Sequence, residues 1–231
     1  MKKIVVFIIV SIVIFACNDK KENSMLVQGE VKNLKKGTLY LLKVKDTLLV
    51  AVDSIALDGV STFTLTDEIE SPEIYFLSLN KSQNKQISFF GEKGTITINT
   101  KLDKFRFGAT INGLTNQQLL EEYNEMASQF NNKRLDLIKA DFEVKKSEDS
   151  LKIDSIKNLI NGLIKRRYYY TTNFAVNHAD NEIAPYLALT ELYDANITLL
   201  DTINNTLTPK VKASKYGKKL EEFITDIKSK D

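Results

Sequence analysis

FRFGATINGLTNQQLLEEYNEMASQF (residues 105–130) contains the point at which the chain changes its hydrophobic pattern. Before Gly113, short apolar runs rich in β-branched and aromatic residues are separated by Gly, Asn, Asp and Pro, which is typical of strands and turns. After Gly113, apolar residues recur every three to four positions, which is typical of helices. The sequence therefore predicts an α+β fold, with an antiparallel β-sandwich-like domain at 25–113 and an all-α region at 114–231.

The first part of the chain contains at least seven segments that predict strands. Asp58-Gly59 predicts a turn between two of them, because Gly readily adopts positive φ. Seven or eight short strands at this spacing favour an antiparallel sandwich or an open barrel. The predicted strands are 38–44, 47–57, 61–66, 73–79, 86–90, 95–99 and 105–112.

The second part of the chain predicts a long helical hairpin. Thr115 is a candidate N-cap for the first helix, and the polar run 145–150 predicts the connection to the second. Shorter helices are predicted at 183–193, 197–204 and 214–228. The apolar face of the first hairpin helix comprises Leu119, Tyr123, Met126 and Phe130; that of the second comprises Ile156, Leu159, Ile160, Leu163, Arg167, Tyr170 and Phe174.

The N-terminal residues predict export. Lys2 and Lys3 precede an apolar run at 4–16, which is the pattern of a signal peptide. Thirteen residues rise about 20 Å as a helix, which is short for a hydrocarbon core of about 30 Å. The run ends in Ile14-Phe15-Ala16-Cys17, which resembles a bacterial lipobox. We therefore expect a lipoprotein signal peptide at 1–16, and a lipidated Cys17 with a polar tether at 17–24.

Composition excludes several classes of function. The chain of 231 residues has 32 basic and 30 acidic side chains, and a net charge of +2 is too small for a nucleic-acid-binding surface. One Cys and one His rule out a tetrahedral Cys/His zinc site, a C-x-x-C redox pair and an intramolecular disulfide. The sequence contains no P-loop, dinucleotide fingerprint or calcium loop. We therefore expect no nucleic-acid partner, no cofactor and no metal.

Two kinds of side chain are candidates for catalysis. His178 is predicted near a helix end, where the helix dipole favours a cation, and a role as catalytic base is the alternative. The carboxylates of Asp53, Asp58, Glu121 and Glu122 could act as an acid and base pair if two of them lay close together. However, acidic residues at turns and in the first turn of a helix ordinarily cap the backbone or face solvent. We assign no catalytic residue.

The run Lys165-Arg166-Arg167-Tyr168-Tyr169-Tyr170 is the most unusual local pattern. Basic residues interleaved with aromatic ones can bind single-stranded nucleic acid or lipid headgroups. Successive helical residues point about 100° apart, so the run cannot form one patch. We expect some of its tyrosines to pack in the hairpin core while Lys165 and Arg166 face water; exposed tyrosines would instead indicate a partner or glycan surface.

The order of the strand motifs resembles a known family. Gly29-Glu30-Val31, Gly37-Thr38-Leu39-Tyr40-Leu41, Val52-Asp53-Ser54, Phe89-Phe90 and Ile111-Asn112-Gly113 followed by Asn116 are similar to a domain of unknown function in Bacteroidetes lipoproteins. That domain usually precedes a thioredoxin-like domain of the peroxiredoxin and thiol-disulfide oxidoreductase type. This chain ends at Asp231 without a C-x-x-C motif, so we expect no thiol-disulfide chemistry from it alone.

These observations lead to one expected function and two alternatives. We expect a non-catalytic binding or accessory module, anchored to a bacterial membrane through lipid on Cys17 and serving an envelope protein partner. We expect the outer membrane and not the inner one, with the protein facing the periplasm or the cell surface. The alternatives are an accessory partner of a separate thioredoxin-like oxidoreductase and an envelope hydrolase that uses two carboxylates.

Overall fold

A computed structural model describes residues 24–146 and 150–230, and it places the strands before the helices, which confirms the predicted α+β fold class. The signal peptide predicted at 1–16, Cys17 and the tether up to residue 23 lie outside the described residues. The strands are β1 (Ser24–Lys32), β2 (Lys36–Lys45), β3 (Leu48–Asp58), β4 (Thr62–Glu68), β5 (Glu73–Leu79), β6 (Gln86–Gly91), β7 (Gly94–Lys101) and β8 (Thr110–Asn112). The helices are α1 (Thr115–Lys146), α2 (Ser150–Asn177), α3 (Ile183–Glu191), α4 (Ile197–Thr206), α5 (Pro209–Lys212) and α6 (Lys215–Lys228).

The strands form two four-stranded sheets, with the orders β4-β1-β7-β8 and β3-β2-β5-β6. Alternate residues of both sheets point into one shared hydrophobic cluster, which is the arrangement of a sandwich. Val27, Leu41, Leu77 and Ile96 are among the fully buried members of this cluster. At the predicted turn after β3, Gly59 has a φ of +75°, as expected.

Two details of the predicted β domain are wrong. The sheet is not wholly antiparallel, because β1 and β7 pair in parallel, with Val27 opposite Ile96. The segment predicted as a strand at 105–112 is extended only from Thr110. Phe105 is buried although it lies outside the strand, and the Thr100 hydroxyl donates to its carbonyl at 2.8 Å. The apolar side chain of Phe105 therefore indicated that this residue is buried, but it did not indicate that the backbone is extended there.

Helices α1 and α2 form the predicted long hairpin. Tyr123 of α1 and Phe174 of α2 meet edge to face, with 5.5 Å between ring centroids. The Tyr123 hydroxyl also lies 2.8 Å from the Thr171 hydroxyl in the buried part of the hairpin. A second cluster, formed by α2, α3, α4, α5 and α6, buries Leu192, Ile203 and Leu220 around the base of the hairpin. The remainder of the hairpin extends beyond that cluster.

The N-terminus of α1 is capped by the β domain and not by Thr115, which is already the first helical residue. The Glu92 carboxylate, on the turn between β6 and β7, accepts the Asn116 backbone N–H at 2.9 Å. The Asn116 side chain donates to Glu92 Oε2 at 3.1 Å and to Glu182 Oε2 at 3.2 Å, and it accepts the Ile183 N–H at 2.8 Å. Asn116 therefore joins the β domain, α1 and α3 at one buried point.

The C-terminal helix α6 also docks on the β domain. The Ile74 N–H of β5 donates to the Tyr216 hydroxyl at 3.0 Å, and the Phe90 and Tyr216 rings meet edge to face. Lys215 donates to the Val44 carbonyl at 2.8 Å and forms an ion pair with Glu73. The two parts of the protein therefore share a polar joint and an aromatic interface.

Candidate functional site

The structure gives the predicted carboxylates separate structural partners. Asp53 accepts the Thr66 N–H at 2.8 Å and so links β3 to β4. Asp58 forms an ion pair with Lys36 on the surface at 3.2 Å. Glu121 accepts a hydrogen bond from Gln117 at 2.7 Å within α1, and Glu122 beside it is exposed. The structure does not bring them together as an acid and base pair.

His178 directly follows the last residue of α2, as the sequence predicted. Its ring packs on Phe174 with 4.6 Å between centroids, and its backbone N–H donates to the Ala175 carbonyl at 3.2 Å. The half-buried imidazole therefore packs as part of the helix end.

The basic and aromatic run on α2 divides between core and solvent, as predicted, but Tyr169 lies on the solvent side and is 49% exposed. Tyr170 packs between the rings of Phe130 and Phe174. Lys165 and Arg166 are exposed. The side chain that the sequence left unexplained is Arg167, which turns towards the end of α3.

A cleft of about 240 Å³ lies between the hairpin and the end of α3, and we call it the hairpin cleft. Its lining combines aromatic, cationic, anionic and amide groups from three helices and the turn after α3. The polar and aromatic lining includes Asn131, Arg134, Arg167, Tyr168, Glu191, Tyr193 and Asp194.

Arg167 is the central cation of the hairpin cleft. Its guanidinium forms an ion pair with Glu191 and donates to Asn131 Oδ1 at 3.2 Å. Burial lowers the pKa of Arg167, but the charges of Glu191 and Tyr123 and the hydrogen bonds to both side chains together outweigh it, so the pKa is raised. Its Nε atom is buried and has no acceptor among the described residues. A buried N–H without a partner is rare. Because this atom is closed to solvent, a ligand in the cleft would contact the exposed part of the Arg167 guanidinium instead.

The rim of the hairpin cleft offers groups that are free to contact a ligand. Tyr193 is 64% exposed, and Arg134 forms no ion pair with any residue in the described ranges. Tyr168 donates to Asp194 Oδ1 at 2.7 Å, and this hydrogen bond raises the pKa of the Tyr168 hydroxyl. An exposed ring beside a cation and a carboxylate can stack on a ligand and hydrogen-bond to its polar groups.

Sequence reasoning placed Arg167 on the hairpin face but missed its partner. Glu191 lies 24 residues further along the chain, and only the packing of α3 against α2 brings the two together. A cation at an otherwise apolar position of a helix face was the available signal, because a buried charge requires a partner.

The described ranges contain no cluster of three or more His, Cys, Asp or Glu side chains that could hold a metal ion. Within the same ranges, none of the helices combines the length and the hydropathy needed to cross a membrane.

Residues 25–120 match the model of a domain of unknown function, DUF4369. In the structure the matched residues comprise the β-sandwich and the first turns of α1, so the match includes the joint at Asn116. The hairpin cleft lies outside the DUF4369 match, because its lining begins at Phe130. Searches of curated proteins and of solved structures found no match.

Proposed function

We propose that this protein is a lipid-anchored cell-envelope protein whose folded part is a non-catalytic binding or accessory module. Export and the anchor are supported by the N-terminal pattern, in which Lys2, Lys3 and an apolar run precede Cys17. Two or three acyl chains would hold a folded domain firmly on a bilayer, because each buried CH₂ contributes about 0.8 kcal/mol. The outer membrane is the proposed location.

The hairpin cleft is the proposed binding site, and the observation that supports it is the half-buried Arg167 side chain, a cation held by Glu191 at the centre of the cleft. An envelope partner that inserts a polar side chain beside Arg134 and Tyr193 would complete the cleft. Arg and Tyr are the residues that most often dominate binding energy at interfaces. The alternative of a hydrolase would require two carboxylates facing one cleft at about 5 to 10 Å. The carboxylates named from the sequence have separate partners instead. The two carboxylates of the hairpin cleft, Glu191 and Asp194, are held by Arg167 and by the Tyr168 hydroxyl.

Cys17→Ser tests the anchor. The lipoprotein peptidase acts on a lipidated cysteine, and Ser has no thiol to acylate, so we expect uncleaved precursor and no labelling by radioactive palmitate. Asn18→Ser, which changes the next residue, is the matched control and should be processed normally. Normal processing and membrane retention of the Cys17→Ser protein would reject the lipid anchor.

Arg134→Ala combined with Tyr193→Ala tests the hairpin cleft. Both side chains lie at the rim, so the Arg167–Glu191 ion pair and the fold should remain. We expect recovery of a partner from solubilised envelopes to fall about tenfold relative to the wild type.

The control for the cleft variant is Arg106→Ala with Phe107→Ala, which removes an exposed cation and an exposed ring from the β domain. This control should recover the partner at the wild-type level. Equal recovery by both double variants, or no partner with the wild type, would reject the cleft as a binding site.

A further inference from the structure

The turns β1–β2, β3–β4, β5–β6 and β7–β8 all lie at one end of the β-sandwich. The end of β1 lies beside the end of β7, and the start of β2 lies beside the ends of β3 and β5. The turn from β1 to β2 spans three residues, so it joins the two sheets at this same end. We call these four turns and the strand residues next to them the basic end, because they contain eight basic and two acidic residues. The basic residues are Lys32, Lys35, Lys36, Lys81, Lys85, Lys101, Lys104 and Arg106.

The other end of the sandwich, where α1 and α6 dock, has the opposite sign. Its three turns between strands and the strand residues next to them contain two basic and five acidic residues. Two of these carboxylates, Glu73 and Glu92, bind Lys215 and Asn116 of the helices. Ser24 begins β1 at this end, and the nine residues of β1 place the basic end about 26 Å away from it. The balanced charge of the whole chain therefore conceals two ends of opposite sign.

The cations of the basic end are available to an anionic ligand. Lys36 pairs with Asp58 at 3.2 Å, and the other seven cations form no ion pair with a residue of the described ranges. Seven of the eight side chains are exposed, and Lys85 is half-buried. A third carboxylate near this end, Glu30, accepts a hydrogen bond from the Ser61 hydroxyl at 3.0 Å. The carboxylates at this end therefore leave most of its positive charge uncompensated.

Two of these cations are direct neighbours. Lys32 and Lys101 lie opposite each other in the parallel register of β1 and β7, on strands about 4.8 Å apart. Like charges opposite each other on neighbouring strands destabilise a sheet. An anionic group between the two ammonium groups would replace this repulsion by attraction. The pair therefore favours binding and not the stability of the sheet.

The distribution and composition of the basic end favour an anionic polymer. Its cations come from four turns and both sheets, so they spread over the whole end and do not converge on one small anion. Protein interfaces are poor in Lys and have an apolar core, whereas the basic end has seven lysines. Its exposed large apolar side chains are Val60 and Phe107. The Arg106 guanidinium lies 5.6 Å from the centroid of the Phe107 ring, and the two together could contact a sugar ring and its acidic group.

We propose that the basic end of the β-sandwich binds an acidic polysaccharide through its carboxylate, sulfate or phosphate groups. The choice of polysaccharide over nucleic acid rests on the proposed location in the cell envelope. The basic end is the end of the sandwich farther from Ser24, and so from a lipid on Cys17, which favours a ligand outside the bilayer. None of its residues lines the hairpin cleft, so the two sites are independent.

The test uses the chain without residues 1–17, which retains every residue that the structure describes and has no acyl chains. Isothermal titration would measure its affinity for heparin, a sulfated polysaccharide, and for dextran, a neutral one. We expect binding to heparin only, with an affinity that falls more than about tenfold between about 50 and 200 mM salt. Because neither Cys17 nor the hairpin cleft takes part, failure of this test would leave the anchor and the cleft to their own tests.

Lys32→Gln with Lys101→Gln should lower the affinity for heparin about tenfold, because both charges of the neighbouring pair are lost. The free energy of unfolding should stay the same or rise slightly as the repulsion disappears, which separates a binding role from a structural one. Lys218→Gln with Lys219→Gln is the matched control, since it removes the same charge from exposed positions of α6 beside the opposite end. This control should change the affinity for heparin by less than about twofold.

A second variant, Lys35→Gln with Lys104→Gln, changes turns and not paired strand residues, and it should also lower the affinity about tenfold. The absence of heparin binding by the wild type, unchanged affinity in both variants of the basic end, or an equal loss in the α6 control would overturn the proposal. Tighter binding to oligodeoxythymidylate, poly-L-glutamate or phosphatidylglycerol vesicles than to heparin would also overturn it. The ligand would then be a nucleic acid, an acidic protein or a lipid surface, respectively.

Discussion

Gly29→Ala is expected to lower the free energy of unfolding by more than about 3 kcal/mol, or to leave the chain unable to fold. A Cβ atom at position 29 would lie 1.8 Å from the Ile98 carbonyl oxygen and 2.7 Å from its carbonyl carbon. Both are backbone atoms of β7, so no side chain can rotate away to make room. Gly29 lies in β1, which is paired with β4 on one side and β7 on the other.

No local rearrangement can relieve the contact between a Cβ atom at position 29 and the backbone of Ile98. Moving β1 away from β7 would break the parallel pairing that runs from Met25 to Lys32, and it would open the core next to Val27. Overpacking a well-packed interior typically costs about 1 to 3 kcal/mol. The cost at position 29 should lie at or above the top of this range, because the obstacle is backbone and not a side chain. A domain of ordinary stability has about 5 to 15 kcal/mol in total, so the change removes a large share of it.

Gly162→Ala is the matched control, with an expected change of opposite sign. Gly162 lies in the middle of α2, and an added Cβ would meet no atom within 4 Å. Ala is favoured over Gly in a helix interior by about 0.5 to 1 kcal/mol, so the variant should be more stable than the wild type. Urea unfolding followed by circular dichroism would measure both variants. A loss of less than about 1 kcal/mol for Gly29→Ala would show that β1 and β7 do not approach as described.

The sequence could predict the fold class because periodicity is a local property. Alternating apolar residues such as Phe63 and Leu65 indicate which side chains point inwards, whatever strand lies beside them. The pattern within a strand does not show which other strand lies beside it. The parallel pairing of Val27 with Ile96 joins positions 69 residues apart, and no pattern within β1 distinguishes it from an antiparallel arrangement.

The candidate site shows the same limit more strongly. The sequence indicated that the hairpin would bury aromatic side chains such as Tyr170, because hydrophobic burial needs no specific partner. The hairpin cleft depends instead on one cation and one carboxylate, Arg167 and Glu191, that meet only after α3 packs on α2. Directional contacts between distant residues are fixed by tertiary structure, so sequence patterns could not locate this site.

Asn116→Ala is expected to lower the free energy of unfolding by about 3 kcal/mol or more at neutral pH. The Asn116 side chain is 2% exposed, and it connects Glu92, Glu182 and the Ile183 N–H. Its removal leaves one N–H and two carboxylates without these partners in a buried place. Asn124→Ala, on an exposed position of the same helix, is the control and should change the stability by less than about 0.5 kcal/mol.

The pH dependence of the destabilisation by Asn116→Ala shows which lost contact causes it. Burial raises the pKa of Glu92 above its ordinary value of 4.5, and the hydrogen bonds from Asn116 act in the opposite direction. Removing the Asn116 side chain should therefore raise the pKa of Glu92 further. A carboxyl whose pKa is higher in the folded state binds its proton more tightly there, so stability is greatest below the unfolded pKa and falls as pH rises through the folded pKa.

The loss caused by Asn116→Ala should accordingly be smallest below the ordinary pKa of 4.5, where the protonated form of Glu92 predominates in both proteins, and should grow towards pH 7. Urea unfolding of the wild type, Asn116→Ala and Asn124→Ala over this range would measure it. The loss of neutral hydrogen bonds, such as that to the Ile183 N–H, does not vary with pH. A loss that is constant over this range would therefore mean that the joint depends on those bonds alone, and that Asn116 does not stabilise the buried Glu92 carboxylate.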